Sequence, residues 1–115
     1  MTTLVLRLMF ADGLRLGPGK VALLEAIDAA GSISAAARTM GMSYRRAWLL
    51  LDEMHEMFSS PVAETAHGGA RGGGATLTPF GRELIARYRA MEAAVRQVTQ
   101  GDVAFLEGHL RRGPT

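Results

Sequence analysis

Cysteine is absent from this 115-residue chain, which excludes disulfides and thiolate metal sites and fits a cytosolic protein. Lysine is almost absent: Lys20 stands alone among thirteen basic residues, and the rest are arginine. Long apolar runs are missing too, since nothing approaches the roughly 20 residues of a membrane span. The opening Met-Thr-Thr-Leu-Val-Leu-Arg-Leu-Met-Phe lacks a basic leader and is broken by Arg7, so it makes a poor signal peptide. A cytoplasmic protein with no membrane partner is expected. Net charge is also scarce: a formal +2 is too small to argue for nucleic acid by itself. Apolar residues, at 48%, suffice for one compact domain that needs no staple.

The most informative stretch runs from Gly31 to Phe58. Ser34 is placed to cap a short helix with Ala36, Ala37 and Met40 on one face, and Gly41 ends it in a turn that tolerates positive φ. Ser43 caps a second helix whose inward positions are Ala47, Leu50, Leu51 and Met54. Ala37, Gly41 and Ala47 are small where two steeply crossed helices, joined by a three- or four-residue turn, bring their backbones together. A plain helical hairpin shares this grammar, but the surrounding segments favour a DNA-binding helix-turn-helix. Tyr44, Arg45 and Arg46 then form the first turn that enters a major groove. Charge placement agrees, with Arg45 and Arg46 opening the helix and Asp52, Glu53 and Glu56 at its far end.

Before this motif, Leu4, Leu6, Leu8 and Phe10 alternate with Thr3, Val5, Arg7 and Met9, as in a half-buried strand. Asp12-Gly13 signals a two-residue hairpin turn, Leu14 to Leu16 a short return strand, and Gly19 to Ala30 a helix with Val21, Leu23, Leu24 and Ile27 apolar. After the motif, Ser59-Ser60-Pro61 ends the helix. Two strands follow, about 62–66 and 75–77, around a glycine-rich tip. A hairpin directly after a recognition helix is a wing, whose bare N–H groups and Arg71 approach phosphates and a minor groove, with His67 beside them. The same glycines make no nucleotide loop: Gly68 to Gly73 has P-loop spacing, but Gly74 and Ala75 follow where Lys and Ser or Thr are needed.

Thr78 and Pro79 suit the cap and first position of a long helix reaching about Gln100. Along it Leu84, Tyr88, Met91, Val95 and Val98 are spaced four, three, four, three, a coiled-coil seam for a second chain. Glu83–Arg87 and Glu92–Arg96 offer i,i+4 pairs. Gly101 is expected to interrupt the helix, residues 103–110 to form another, and 111–115 to fray.

Catalysis finds little support. His55, His67 and His109 are scattered without ligand spacing, and Asp52, Glu53 and Glu56 read as a solvated face. Ser32, Ser34 and Ser43 read as caps, not nucleophiles. No enzyme, metal or cofactor is expected. The candidate contacts lie on the helix-turn-helix and wing. Arg45 and Arg46 suit base edges or phosphates, and Ser43 and Tyr44 suit phosphate oxygens. Trp48 suits packing or a phosphate, and Arg38 the backbone. Ser34 would offer helix N–H groups, and Leu49 a thymine-methyl contact.

Gly31 to Arg38, Met42 to Trp48, the run Glu64 to Ala75 and Leu77 to Gly81 together resemble the N-terminal DNA-binding domain of the ModE family of molybdate-responsive transcriptional regulators. They resemble the LysR-type winged helices more distantly. The likeness covers about residues 4–98. It implies a homodimer joined through long helices on a palindromic promoter site in double-stranded DNA, controlling molybdenum-related genes. Family members also carry C-terminal oxyanion-binding domains, and this chain is expected to lack that effector domain, which leaves its effector unknown. The expected fold is α+β, mainly α: a winged helix-turn-helix over 1–78 with an N-terminal β-hairpin, a dimerisation helix over 79–100 and a short tail over 101–115. The rival readings are a winged-helix module that binds protein or RNA without entering a groove, in which Arg45 and Arg46 are dispensable, and a small enzyme with a deep polar pocket.

Overall fold

The computed structural model describes residues 2–66 and 73–111. Strands β1 (Leu8–Met9) and β2 (Arg15–Leu16) open the chain, followed by helices α1 (Pro18–Ala30), α2 (Ile33–Thr39) and α3 (Tyr44–Met57). Then come β3 (Ala63–Thr65), β4 (Ala75–Leu77), α4 (Pro79–Val98) and α5 (Gln100–Gly108). The architecture is α+β, mainly α, with two antiparallel hairpins on a helical body and the topology of a winged helix-turn-helix.

Leu4, Leu6 and Leu8 are half-buried between exposed Val5, Arg7 and Met9, as the alternation predicts. Phe10 departs from the pattern and is exposed. The turn also differs from expectation. Leu8 pairs with Leu16 and Met9 with Arg15, and the Phe10 N–H donates to the Leu14 carbonyl at 2.7 Å. A three-residue 3-10 turn, Ala11–Gly13, therefore replaces the two-residue turn. A two-residue turn would set Met9 opposite Leu16. The extra residue sets Leu8 there instead, so both leucines share the core face.

The core gathers Val21, Leu23, Leu24 and Ile27 of α1 with residues from both helices of the motif. Ala37 and Ala47, each at most 2% exposed, are small where α2 and α3 approach, and Gly41 turns the chain at φ 66°. Leu51 and Met54 are buried, and Leu50 and Met40 half-buried. Ser32, not Ser34, caps α2, accepting from the Ala35 N–H at 3.0 Å. Ser34 lies inside the helix and is exposed, because the left-handed C-cap at Gly31 starts the new helix immediately.

Two junctions hold the second hairpin. The Ala75 N–H donates to the Gly31 carbonyl at 2.8 Å, tying β4 to the α1–α2 corner. At its other end the Thr78 hydroxyl accepts from the Gly81 N–H at 3.0 Å and donates to the Pro61 carbonyl at 2.6 Å. A Cβ on Gly81 would stand 2.1 Å from the Val62 carbonyl oxygen, so only glycine fits there. Phe80 meets Phe58 edge-on at 5.3 Å, closing the corner.

Beyond this anchor α4 serves its own domain first. Leu84 and Tyr88 are buried in the core, and the Tyr88 hydroxyl donates to the Leu6 carbonyl at 2.6 Å. These two members of the expected inter-chain seam are therefore occupied within the chain. The Glu92–Arg96 pair is replaced as well. Glu92 is buried and accepts from Arg89 at 2.6 Å, while Arg89 grips both oxygens of Glu25 on α1 at 2.6 and 3.1 Å. Arg89 reaches two acids at once, an arrangement that keeps its guanidinium firmly charged. The Glu83–Arg87 pair forms as expected, at 2.8 Å. The interruption falls at Thr99, whose hydroxyl donates to the Val95 carbonyl at 2.6 Å. Gly101 sits in the first turn of α5, which begins before the predicted residue 103.

Candidate nucleic-acid interface

The first turn of α3 stands free of the body. Ser43 caps it, accepting from the Arg46 N–H at 3.0 Å. Tyr44, Arg45, Arg46 and Leu49 are all exposed, Leu49 to 49%. At 100° per residue, Arg45, Leu49, Asp52 and Glu56 form the outermost row, with Tyr44 and Trp48 on one flank and Arg46 and Glu53 on the other. The row is cationic where the helix begins and acidic where it ends. Such an order directs a polyanion to the N-terminal turns, where the helix dipole is also positive.

A groove borders α3 on each side. Ser34, Arg38, Tyr44 and Trp48 face Thr65, Ala66, Gly73 and Gly74 across the first. Arg38 donates to the Ser34 hydroxyl at 3.3 Å, and Tyr44 meets the half-buried Trp48 edge-on at 6.2 Å. The expected contacts Ser34, Arg38, Tyr44 and Trp48 are thus brought together with the base of the β3–β4 hairpin. In β3–β4 Ala63 pairs with Leu77 and Thr65 with Ala75, and the Ala66 N–H donates to the Gly74 carbonyl at 2.9 Å. His67 and Arg71, assigned to the wing tip, lie outside the described residues.

Arg46 lines the other groove, facing the N-terminal hairpin rather than sharing a surface with Tyr44. Helical periodicity separates Arg45 from Arg46 by 100°. Sequence reasoning paired them because they are neighbours. It also missed Gly73 and Gly74 as groove floor, although adjacent glycines without a required turn signal close backbone approach. Among the described residues Arg38, Arg45 and Arg46 form no ion pair, whereas Arg82, Arg87 and Arg89 do.

The remaining seam positions lie further out. Met91 is 36% exposed, Val95 half-buried and Val98 80% exposed, and α5 adds exposed Phe105 and Leu106. Among the described residues no three acidic or histidine side chains gather as metal ligands, and no helix is long and apolar enough to cross a membrane.

The fold defines a mainly α protein of the α+β class with two small hairpins, and comparison with known proteins narrows it. No protein-family model matches the chain. It is 51% identical over 86 residues to the molybdenum-pterin-binding protein MopB of Rhodobacter capsulatus, covering 75% of this chain and 32% of that protein. It is 36% identical over 102 residues to the molybdenum transport protein ModE of Azotobacter vinelandii, covering 79% and 38%. The DNA-binding transcriptional dual regulator ModE of Escherichia coli K12 is 41% identical over 80 residues, covering 70% and 29%. The chain thus spans about a third of the length of these relatives. Over that third it belongs to the ModE family.

Proposed function

We propose that this chain is a sequence-specific DNA-binding transcriptional regulator that works in the cytoplasm as a homodimer on a palindromic operator. The observation that carries the reading is the exposed row beginning at Arg45. It leads from a capped helix start, lies between two open grooves, and leaves its arginine without an ion-pair partner among the described residues. In this reading Arg45 and Leu49 read base edges in a major groove, Arg45 as a bidentate donor to guanine and Leu49 against a thymine methyl. Tyr44, Ser34 and Arg38 hold backbone phosphates beside the first groove, and the wing lies along the next stretch of backbone. Met91, Val95 and Val98 carry the dimer, joined by the apolar positions of α5. Two copies then present their α3 helices to half-sites about 34 Å apart. The names of the relatives support a link to molybdenum-related genes.

The test is a titration on the operator recovered by genomic pull-down and sequencing. Arg45→Ala is expected to weaken specific binding by about 1–3 kcal/mol and to relax the preference at one base pair. Unchanged affinity and preference in both Arg45→Ala and Arg46→Ala would move the protein to the class of winged helices that bind without reading a groove.

A further inference from the structure

Resting on that DNA-binding reading, we propose that the groove between the N-terminal hairpin and α3 is a second seat for the DNA backbone, on the flank of α3 opposite the wing. One wall carries Arg7, Leu14, Arg15 and Lys20, and the other Arg46, Leu50, Glu53 and Glu56 of α3. Four cations therefore face one trough. Lys20 is already engaged, by Glu53 at 3.2 Å and the Arg15 carbonyl at 2.9 Å. Arg7, Arg15 and Arg46 are exposed and form no ion pair among the described residues. Three unneutralised guanidinium groups around an open trough suit the spaced phosphates of a nucleic-acid strand better than one small anion, which needs a closed cradle.

The two acids set where the strand can lie. Glu53 and Glu56 follow Arg46 by seven and ten residues, about 10 and 15 Å along the helix. Glu53 is neutralised by Lys20, whereas Glu56 has no ion-pair partner among the described residues. A polyanion is therefore repelled from the C-terminal end of the trough and held at the end where α3 begins. That is also the end from which Arg45 points outward, so one duplex can meet both surfaces. The N-terminal hairpin then acts as a second wing. The backbone is clamped on both sides of the recognition helix, and the clamp carries no sequence information.

The test measures binding to a mixed-sequence 30-base-pair duplex and to the operator, across salt concentrations. Arg15→Gln is expected to lower affinity for both duplexes alike and to reduce the slope of log K against log salt by about one, while Arg15→Lys restores the slope. Ethylation interference on the operator is expected to show phosphates on both flanks of the recognition site in the wild type, with one flank lost in Arg15→Gln. An unchanged slope and footprint in Arg15→Gln, with Arg45→Ala still impaired, overturns the second seat and leaves the DNA-binding reading standing. Failure of the wild type to bind either duplex overturns both. Matching thermal melts of the variants keep a folding defect from imitating the result, and Arg15 is exposed and outside the core.

Discussion

The two grooves beside α3 are held by different materials. On the wing side backbone meets backbone: Ala75 is bonded to Gly31, Ala66 to Gly74, and glycines close the gaps. A Cβ on Gly73 would stand 2.6 Å from the Ala66 carbonyl oxygen. On the hairpin side the ties run through long side chains. The Arg7 side chain lies over Gly17, Lys20 reaches Arg15 and Glu53, and the Tyr88 hydroxyl holds Leu6. Backbone atoms in contact have nowhere to move, whereas an arginine or lysine can change rotamer. One wall is therefore rigid and the other adaptable. In the proposed DNA-binding reading, a rigid wall suits a hairpin that must keep its angle to α3, and an adaptable one suits phosphates whose spacing varies along a duplex.

Adding a methyl group on each side gives the largest expected contrast. Gly73→Ala drives a Cβ to 2.6 Å from the Ala66 carbonyl oxygen and is expected to cost about 1–3 kcal/mol, because backbone atoms in contact cannot yield. Gly17→Ala meets only the flexible Arg7 side chain at 3.2 Å and is expected to cost under about 0.5 kcal/mol. Urea melts of the two variants measure the difference. Comparable losses would mean that both walls are equally rigid.

A smaller effect separates two serines at the edge of the wing-side groove. Ser32→Ala removes the α2 cap and is expected to cost about 1 kcal/mol. Ser34→Ala is expected to leave stability within about 0.5 kcal/mol, since its hydroxyl meets only Arg38 at the surface. If DNA binding falls in Ser34→Ala without a change in stability, that serine works on the ligand and not on the fold.

Tyr88→Phe tests the hairpin side, by releasing the Leu6 carbonyl that positions the segment carrying Arg7. It is expected to cost about 1 kcal/mol. Burial, and then the charge of Glu92, raises the Tyr88 phenol above its ordinary value of 10.0. The sign follows from the order of proton loss. Below pH 10 both folded and unfolded chains keep the phenol protonated, and above it the unfolded chain loses the proton first. Stability is therefore expected to fall as pH rises past 10, and less steeply in Tyr88→Phe, as denaturant melts across that range would show.

Much of this interface was legible in the residues themselves. The Gly31–Phe58 motif, the Ser43 cap, the Thr78-Pro79 helix start and the outward Leu49 all follow from local rules of capping, periodicity and backbone freedom, which act within a few residues. The features that differ from the sequence expectation depend on atoms distant in sequence. Ser32 caps because Gly31 ends α1 just before it. Leu84 and Tyr88 look like a seam by spacing alone, but they find the first three helices and Leu6 already waiting. Glu92 pairs with Arg89 because Glu25 on α1 draws that guanidinium inward.

The sequence by itself determined the order of elements, the helix-turn-helix and the cationic start of α3, because each is written in spacings shorter than one or two helical turns. Tertiary structure alone decided that Arg46 lines a groove while Arg45 stands on the outer row, that the first hairpin stands beside α3, and that Leu84 and Tyr88 of the α4 stripe belong to their own domain. A periodic pattern states which face of a helix is apolar. What that face meets is set by the packing of elements far apart in the chain.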